Sequence, residues 1–341
     1  MAKILFVYSR ESSFISIDRD VFHRRWEVRE WRQRSRLVNL PALVRAVWRS
    51  DLVFGWFASW HTFWPVTLAW MLRRPSVLVV GGVDTASLPE IGYGLQQRPF
   101  FRGLSRWVMR RATRLVTNSR YSRRELTENV GIPEDRATVV YHGVPDPFGA
   151  LPEGPRERLA LTVGAIDRRN LERKGLRAFV DAAARLPDVD FMVAGRSLDD
   201  AGAELAARAG ANVTLTGWIE QDRLEDAFRR ASVYVQASLH EGFGLSVAEA
   251  MLAGCIPVTT PAGALPEVVG DTGIVIADAS AEAVADGVAR ALALGDEARA
   301  AARRRVLECF PLRVREEGLE AVVEDALGAR ARRNRRSRWS R

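Results

Sequence analysis

Residues 233–255 of the chain read VYVQASLHEGFGLSVAEAMLAGC. The run before Leu239 is rich in β-branched and aromatic residues, which is typical of a buried strand. Gly242 and Gly244 then permit a tight turn, and an apolar helical pattern begins at Leu245 or the next residue. A strand, a turn and a helix in this order are the repeating unit of parallel sheets covered by helices. The stretch therefore predicts an α/β domain.

The same alternation of strands and helices continues in both directions along the chain. A segment rich in Pro and Gly, residues 142–155, separates a front set from a back set. Two sets predict an α/β fold with two doubly wound parallel-sheet domains. We expect these domains at residues 1–150 and 151–328, with a last helix at 311–328 that can pack back on the front domain and a basic tail at 329–341. The predicted strands are 3–9, 26–31, 52–57, 76–82, 114–119 and 138–143, followed by 160–164, 190–195, 212–217, 233–238, 256–260 and 273–277.

The composition excludes several classes of protein. Hydrophobic residues make up 47% of the 341 positions, far more than in disordered chains. The N-terminal apolar run is too short for a signal peptide, so we expect a cytoplasmic protein. The only cysteines, Cys255 and Cys309, exclude a disulfide framework and are expected to be reduced thiols. No zinc-type Cys and His spacing and no strand followed by G-x-G-x-x-G is found, so we expect neither a metal nor a dinucleotide cofactor.

Residues 52–72 contain no Asp, Glu, Lys or Arg and are long enough to cross a bilayer. However, Gly, Ser, His and Pro interrupt this run, and its parts have the patterns of a strand, a loop and a helix. We therefore expect a buried strand, loop and helix rather than a membrane span.

Charge is distributed unevenly along the chain. Residues 1–150 hold 23 Lys and Arg against 13 Asp and Glu, a net charge of +10. Residues 151–329 hold 20 against 29, a net charge of −9, and residues 330–341 add seven Arg and no acid. The acidic back half argues against a nucleic-acid partner, because nucleic-acid binding needs a continuous basic face. The basic front half predicts an anionic partner for that half alone.

A basic helix is predicted within the front half. Arg102, Arg106 and Arg110 recur at every fourth position, with Trp107 beside them. This pattern fits either an ordinary solvated helix with a core face or a helix that contacts an anionic membrane surface.

Two glutamates, Glu241 and Glu249, flank the predicted glycine turn. The free N–H groups and the dipole at the start of the following helix attract an anion, most naturally phosphate. A carboxylate accepts hydrogen bonds from vicinal hydroxyl groups instead. A nucleotide-sugar has hydroxyl groups on both sides of its diphosphate, on the ribose and on the sugar. Two carboxylates that flank a phosphate site therefore indicate a binding site for a nucleotide-sugar that donates its sugar. The alternative is that Glu249 only interacts with the helix dipole and that Glu241 is solvated.

Residues 241–276, EGFGLSVAEAMLAGCIPVTTPAGALPEVVGDTGIVI, resemble the donor-binding segment of family 4 retaining glycosyltransferases. The resemblance extends to residues 217–238, 161–186 and 116–145, and it is weakest in residues 1–50. It implies the GT-B fold, in which two Rossmann-like domains face a cleft. The front domain would bind the acceptor and the back domain the nucleotide-sugar donor.

The resemblance also implies roles for individual residues. Glu241 would contact the hydroxyl groups of the donor sugar, and Glu249 would bind the ribose. Lys174 would neutralise the diphosphate leaving group, a role that suits the point charge of a lysine. The remaining donor-binding residues are Gly164, Gly242, the backbone N–H groups of Phe243, Gly244 and Leu245, and, beside the base, Trp218 and Ile219.

The sequence departs from the family pattern in both halves. Ala165 stands where the family usually has an arginine, and Arg168, Arg169 or Arg173 would have to supply the missing guanidinium. The usual active-site histidine of the front domain is also absent.

Asp84 is the polar group nearest to the position of that missing histidine. It would either orient the acceptor hydroxyl, as a catalytic residue, or cap a turn or helix. His61 is a candidate acceptor ligand or a satisfied histidine in an aromatic cluster.

The sequence thus predicts a hexosyltransferase that uses a nucleotide diphosphate-sugar, retains the anomeric configuration and needs no metal. Its expected partners are the donor, an anionic or lipid-linked acceptor, and the anionic inner face of the membrane as a peripheral contact. The alternatives are a nucleotide-sugar epimerase of the same fold and a non-enzymatic binder of anionic polymer.

Overall fold

The computed structural model describes residues 1–151 and 156–339, the last ten of them by their backbone only. The chain divides into two compact units. Unit 1 comprises Met1–Gly143 and the C-terminal helix that begins at Leu312, and unit 2 comprises Val144–Pro311. The change from one unit to the other lies inside the Pro- and Gly-rich segment 142–155.

Unit 1 is a parallel sheet with helices on both faces. Among the described residues its six strands are ordered β2-β1-β3-β4-β5-β6. The strands are β1 (Lys3–Tyr8), β2 (Glu27–Arg32), β3 (Leu52–Trp56), β4 (Ser76–Val80), β5 (Arg114–Thr117) and β6 (Ala137–Val139). The helices are α1 (Ser13–Arg25), α2 (Leu40–Trp48), α3 (Trp60–Met71), α4 (Pro99–Arg111), α5 (Arg120–Glu125) and the C-terminal α14 (Leu312–Trp339).

Unit 2 repeats this architecture. Its six described strands are ordered β12-β11-β10-β7-β8-β9, and all neighbours are parallel. They are β7 (Glu157–Val163), β8 (Asp190–Ala194), β9 (Val213–Gly217), β10 (Ala231–Gln236), β11 (Ile256–Thr259) and β12 (Ile274–Val275). The helices are α6 (Arg168–Arg173), α7 (Leu176–Ala182), α8 (Ala201–Arg208), α9 (Gln221–Arg230), α10 (Leu245–Leu252), α11 (Leu265–Val269), α12 (Ala281–Leu292) and α13 (Asp296–Cys309).

The prediction of an α/β fold with two doubly wound domains is confirmed. Each predicted strand overlaps an observed one. Runs of apolar and β-branched residues suit strands that are buried on both faces, as β3, β4 and β10 are. Residues 52–72 form β3, a loop and α3, as expected. Among the helices that the structure describes, none has the combination of length and hydrophobicity that a transmembrane span requires.

Helix α14 packs against the sheet of unit 1. Its apolar residues recur at helical spacing, and Leu319, Val322, Val323 and Ala326 are buried beside β1, β3 and β4. Burying one such aliphatic side chain contributes about 1.5–3 kcal/mol, so the contact holds the C-terminal helix on unit 1.

The expected end of the last helix at Gly328 is wrong. Helix α14 continues through the backbone of residues 329–339, which were expected to form a separate basic tail. A glycine inside a helix costs about 1 kcal/mol relative to alanine, and the Ala and Arg residues after it are strong helix formers. The side chains of the seven tail arginines lie outside the described residues.

Candidate active site

The candidate site lies in unit 2, at the carboxyl edge of its sheet. From β7 the chain builds outward on one side through β8 and β9, and it then returns to the other side of β7 with β10. Ligands of open α/β sheets bind where the strand order reverses in this way. In unit 2 that position is the gap between the loops after β7 and β10. Lys174 directly follows α6, the short helix after the first of these loops, and Glu241 lies in the second loop.

Lys174 and Glu241 meet at this position. The Nζ of Lys174 lies 3.6 Å from Oε2 of Glu241, and Nη1 of Arg173 lies 3.8 Å from the same oxygen. The Lys174 and Glu241 side chains are only 15% and 19% exposed. Two cations therefore face one carboxylate in a largely buried cluster that is still open to solvent.

The charges in this cluster shift each other's pKa. Burial would raise the pKa of Glu241, but Lys174 and Arg173 outweigh burial, so this pKa lies below its ordinary value. Burial lowers the pKa of Lys174, and Glu241 opposes that shift while Arg173 adds to it. Glu241 is thus an ionised acceptor at neutral pH.

Helix α6 sets the position of both cations. Asp167 caps its first turn by accepting a hydrogen bond from the Asn170 N–H at 2.8 Å. The Asn170 Oδ1 accepts hydrogen bonds from Arg173 at 2.8 and 3.1 Å. Arg173 also donates to the His240 carbonyl at 3.1 Å, and its own carbonyl accepts from Leu239. Arg173 therefore ties α6 to the loop that carries Glu241.

Gly164 makes room for the lysine. A Cβ atom at this position would lie 2.7 Å from Cδ of Lys174, which is closer than real Cβ atoms approach other atoms. The Lys174 side chain can therefore lie across the end of β7 only because residue 164 has no side chain.

A buried chain of polar groups supports Glu241 from the strand side. The Tyr234 hydroxyl donates to Oε1 of Gln236 at 3.1 Å, and Nε2 of Gln236 donates to the Ser238 hydroxyl at 2.6 Å. The Ser238 hydroxyl in turn donates to Oε2 of Glu241 at 3.5 Å. Gln236 and Ser238 are fully buried, so the chain holds the orientation of the carboxylate.

The N-terminus of α10 opens beside Glu241. Gly244 precedes the helix with φ of +99°, a conformation that favours glycine. The N–H groups of Val247 and Ala248 both bond to the Gly244 carbonyl, at 3.1 and 3.2 Å. The N–H groups of Leu245 and Ser246 find no acceptor among the described residues. This end of the helix can accept an anion such as a phosphate.

Glu249 has the opposite surroundings from Glu241. It lies in the second turn of α10 and is half-buried, and its carboxyl group makes no hydrogen bond or ion pair within the described residues. Burial, with a smaller contribution from the Glu225 charge, raises the pKa of Glu249 to about 7. A half-buried carboxyl group without a partner is costly, and ligand hydroxyl groups would satisfy it.

The other predicted donor residues have varied positions. Trp218 is exposed and Ile219 is half-buried, directly after the end of β9 at the same sheet edge. Phe243 is buried in edge contact with the Phe310 ring, so its backbone rather than its side chain can face a ligand. Gly242 and Leu245 are half-buried on either side of Gly244.

Of the three arginines considered in place of the missing one, only Arg173 lies near Glu241. Arg168 is exposed and pairs with Asp200. Arg169 is exposed and has no hydrogen bond or ion pair within the described residues.

Asp84 in unit 1 caps backbone turns. Its side chain is fully buried, and its oxygens accept hydrogen bonds from the Ala58 N–H at 2.9 Å and the Gly81 N–H at 3.1 Å. Burial raises the pKa of Asp84 to about 6 despite these bonds. Of the two roles expected for Asp84, the structure shows the capping role.

His61 is buried at the start of α3, where Nε2 donates to the Trp56 carbonyl at 2.8 Å. Burial lowers the pKa of His61 to about 4, so the ring is neutral at pH 7. Its Nδ1 is buried and has no hydrogen-bond partner among the described residues.

Three residues of the site, Asn170, Gln236 and Ser238, were not predicted from the sequence. For Asn170 a signal existed, because Asp167 followed three residues later by Asn170 has the pattern of a helix cap. Gln236 and Ser238 stand at the end of a strand, where sequence does not reveal which neighbours a polar side chain meets.

Comparisons with known proteins identify the family. A model described as Glycosyltransferase Family 4 matches residues 6–146, and one described as Glycosyl transferases group 1 matches residues 157–293. The chain is similar to the 2-deoxystreptamine glucosyltransferase of Streptomyces kanamyceticus, with 31% identity over 192 residues that cover 51% of this chain and 49% of that protein. It thus spans about half the length of this relative.

Two further proteins extend the comparison. The lipopolysaccharide core biosynthesis mannosyltransferase LpcC of Rhizobium leguminosarum is 29% identical over 249 residues, which cover 66% of this chain and 68% of that protein. Anabaena HepE, solved in complex with UDP and glucose, has a TM-score of 0.76 at 15% identity, over 95% of this chain and 100% of that one. At this identity the structural likeness shows the fold alone. The chain belongs to the family 4-like glycosyltransferases with the GT-B fold.

Proposed function

We propose that the protein is a retaining hexosyltransferase that takes its sugar from a nucleotide diphosphate-sugar and requires no metal. The observation that carries this proposal is the arrangement around the start of α10. An ionised carboxylate with two cations lies on one side, and a carboxyl group without a partner lies on the other.

The two glutamates would recognise hydroxyl groups on opposite sides of the diphosphate. Glu249 would accept hydrogen bonds from the ribose, which would satisfy its carboxyl group. Glu241 would accept hydrogen bonds from the donor sugar while Ser238 and Arg173 hold it in place. Trp218, exposed after β9, would contact the base.

Lys174, Arg173 and the N–H groups of α10 would stabilise the departing diphosphate. Negative charge grows on the leaving group as the glycosidic bond breaks, and fixed positive groups in a partly desolvated site stabilise that charge more than water does. A metal ion performs the same task in other enzymes. The retention of configuration is proposed from the family to which the chain belongs.

Unit 1 would bind an anionic or lipid-linked acceptor. Residues 1–150 carry a net charge of +10, which attracts an anionic acceptor or the anionic inner face of a membrane. Among the relatives, LpcC is a lipopolysaccharide core mannosyltransferase and a Mycolicibacterium smegmatis protein is a phosphatidyl-myo-inositol mannosyltransferase. Asp84 and His61, which are buried, would shape the acceptor loops rather than contact the sugar.

The test begins with a thermal-shift screen of nucleoside diphosphates and their sugars, because a ligand of the native state raises the melting temperature. The donor identified in this way is then incubated with lipid-linked and soluble acceptors, and the product is followed by proton NMR. We expect the anomeric configuration of the donor in the product, at a rate that EDTA does not change.

Three outcomes would contradict the proposal. Conversion of the donor into a second nucleotide-sugar without an acceptor would indicate an epimerase. Loss of transfer in EDTA that a divalent metal restores would disprove the metal-independent mechanism. If no nucleotide raises the melting temperature while anionic polymers do, the protein is a non-enzymatic binder.

A further inference from the structure

Helices α2, α3 and α4 form a layer on one face of the unit 1 sheet. The side chain of Arg74, after α3, donates to the Trp48 carbonyl at the end of α2, at 2.7 Å. The Trp107 indole on α4 donates to the Thr67 hydroxyl on α3 at 3.2 Å. Leu5 and Val7 of β1 pack under α2, whereas the alternate residues of β1 pack under α1 and α14. The α2–α4 layer therefore covers one face and leaves its own outer side uncovered.

No acidic residue belongs to this layer. Helices α2, α3 and α4 contain no Asp or Glu, and neither do residues 31–50, 52–83 and 91–124 around them. Several arginines of the layer are exposed and make no ion pair within the described residues: Arg45, Arg49, Arg102 and Arg110. Positive charge on this surface is therefore not neutralised by the neighbouring side chains described.

The opposite face of the same sheet is different. There the arginines of α1 pair with acidic residues of α14: Arg24 with Glu316 and Arg25 with Glu320. Arg114 of β5 pairs with Asp325 in the same way. Unbalanced positive charge is thus a property of the α2–α4 layer and not of unit 1 as a whole.

Large apolar side chains lie exposed among these arginines. Trp48 is 61% exposed and Phe100 is 74% exposed. The other exposed apolar residues on the layer or its immediate ends are Leu40, Val44, Trp64, Trp70, Met71, Leu72 and Trp107. Exposed apolar residues that are scattered singly need no explanation, but a group of this size marks a contact surface.

One arginine is held between two of the tryptophans. The Arg111 guanidinium lies 4.6 Å from the Trp70 ring centre and 4.2 Å from that of Trp107. Its Nε is buried without a hydrogen-bond partner, and the residue has no ion pair within the described chain. A cation fixed between aromatic rings, with no counter-ion from the neighbouring side chains described, suits contact with an external anion.

We propose that the outer side of the α2–α4 layer docks on an anionic lipid bilayer. Tryptophan and arginine together match the headgroup region, where the ring sits at the interface and the cation meets phosphate. An anionic bilayer would contact the exposed apolar side chains, and it would attract a surface that carries arginines but no Asp or Glu. A second copy of the chain would bring arginines against arginines. This inference rests on the membrane part of the proposed function and names the surface responsible.

The surface differs from the one that the sequence pattern suggested. Arg106 does not belong to it, because its side chain is half-buried and donates to Gln96 Oε1 at 3.2 Å and the Asn129 carbonyl at 2.7 Å. Only Arg102 and Arg110 of the predicted stripe are exposed.

Vesicle co-sedimentation tests the proposal with the full chain. The probes are vesicles of phosphatidylcholine alone and vesicles in which part of it is replaced by phosphatidylglycerol. Wild type is compared with Arg102→Gln/Arg110→Gln, with Trp48→Ser/Phe100→Ser, and with Arg223→Gln/Arg304→Gln. The last pair removes the same charge from exposed positions of unit 2 and serves as the control.

We expect binding to the anionic vesicles only. The arginine variant should lose about 30-fold in partitioning, since each basic side chain near the surface contributes about fivefold. The tryptophan and phenylalanine variant should lose about tenfold, even at high salt, because its contribution is apolar. The control should bind like wild type.

The proposal is overturned if wild type does not bind anionic vesicles, or if the control loses as much as the layer variants. It is also overturned if wild type is a dimer that the Trp48→Ser/Phe100→Ser change dissociates and vesicles are not bound. Nucleotide affinity, measured by calorimetry on the same variants, should stay unchanged. A failure on vesicles would therefore leave the donor proposal untouched.

Discussion

Glu241 and Glu249 stand close together in the sequence, yet their carboxyl groups have opposite surroundings. Lys174 and Arg173 hold the first in the ionised form, while burial without a partner raises the pKa of the second to about 7. Both glutamates were predicted as site residues, because a glycine turn before a helix can be recognised from the amino-acid sequence. The sequence could not predict their different pKa shifts, which depend on how the fold buries each carboxyl group and on the charges of Lys174, Arg173 and Glu225.

The affinity for a nucleoside diphosphate should depend on pH through Glu249. Above about pH 7 its carboxyl group is ionised and accepts hydrogen bonds from hydroxyl groups, and below that pH it becomes protonated and loses acceptor capacity. Wild-type affinity should therefore fall as the pH is lowered through 7. The Glu249→Gln variant should bind about tenfold more weakly at pH 8 and show a flatter profile. Calorimetry over a pH series measures both effects, and identical profiles would rule out this role.

At the scale of elements, the sequence predicted the strands better than the helix ends. Buried strands such as β3 and β4 are continuous apolar runs. The competing interpretation of residues 52–72 as a membrane span could be set aside because Gly, Ser, His and Pro interrupt that run. The end of α14 was placed wrongly at Gly328 because a glycine ends a helix only when the chain turns there. Whether the chain turns depends on the residues after the glycine, and here Ala and Arg continue the helix.

The contact of α14 with unit 1 includes a buried ion pair. The Arg315 guanidinium donates to both oxygens of Asp18, at 2.9 and 2.7 Å, and to the Val140 carbonyl at 2.6 Å. Trp56 donates to the same carboxylate at 3.1 Å. Both charged side chains are inaccessible to solvent or nearly so.

Breaking this pair should destabilise the protein strongly. Arg315→Met leaves the Asp18 carboxylate buried without its cation, and Asp18→Asn leaves the guanidinium without its anion. Each change should lower the free energy of unfolding by about 3–5 kcal/mol, and the double variant Asp18→Leu/Arg315→Met should recover part of it. Arg313→Met, at an exposed pair on the same helix, should cost less than about 1 kcal/mol. The free energies of unfolding of the four variants are measured by chemical denaturation followed by circular dichroism. Equal losses of free energy in Arg313→Met and Arg315→Met would show that the buried pair contributes no more than the exposed one.

At the scale of the whole molecule, the sequence gives the net charge of each segment, and the structure shows where the individual charges lie. The difference between +10 in residues 1–150 and −9 in residues 151–329 can be read from the sequence. The sequence does not show which arginines act together. In the structure Arg106 is hydrogen-bonded to Gln96 and Asn129, whereas Arg111 lies between Trp70 and Trp107. The layer without acidic residues exists only because the fold brings three separate segments, α2, α3 and α4, side by side.

The central claim is that unit 2 binds a nucleoside diphosphate through Lys174 and Glu249. The most direct test is calorimetric titration of a series of nucleoside diphosphates into wild type, Lys174→Ala and Glu249→Ala, with the exposed Arg304→Gln as the control. We predict that at least one nucleotide binds wild type and the control equally, and that both site variants bind it about tenfold more weakly or worse, as expected when a hydrogen bond to a charged group is lost. Unchanged affinity in both site variants would contradict the claim.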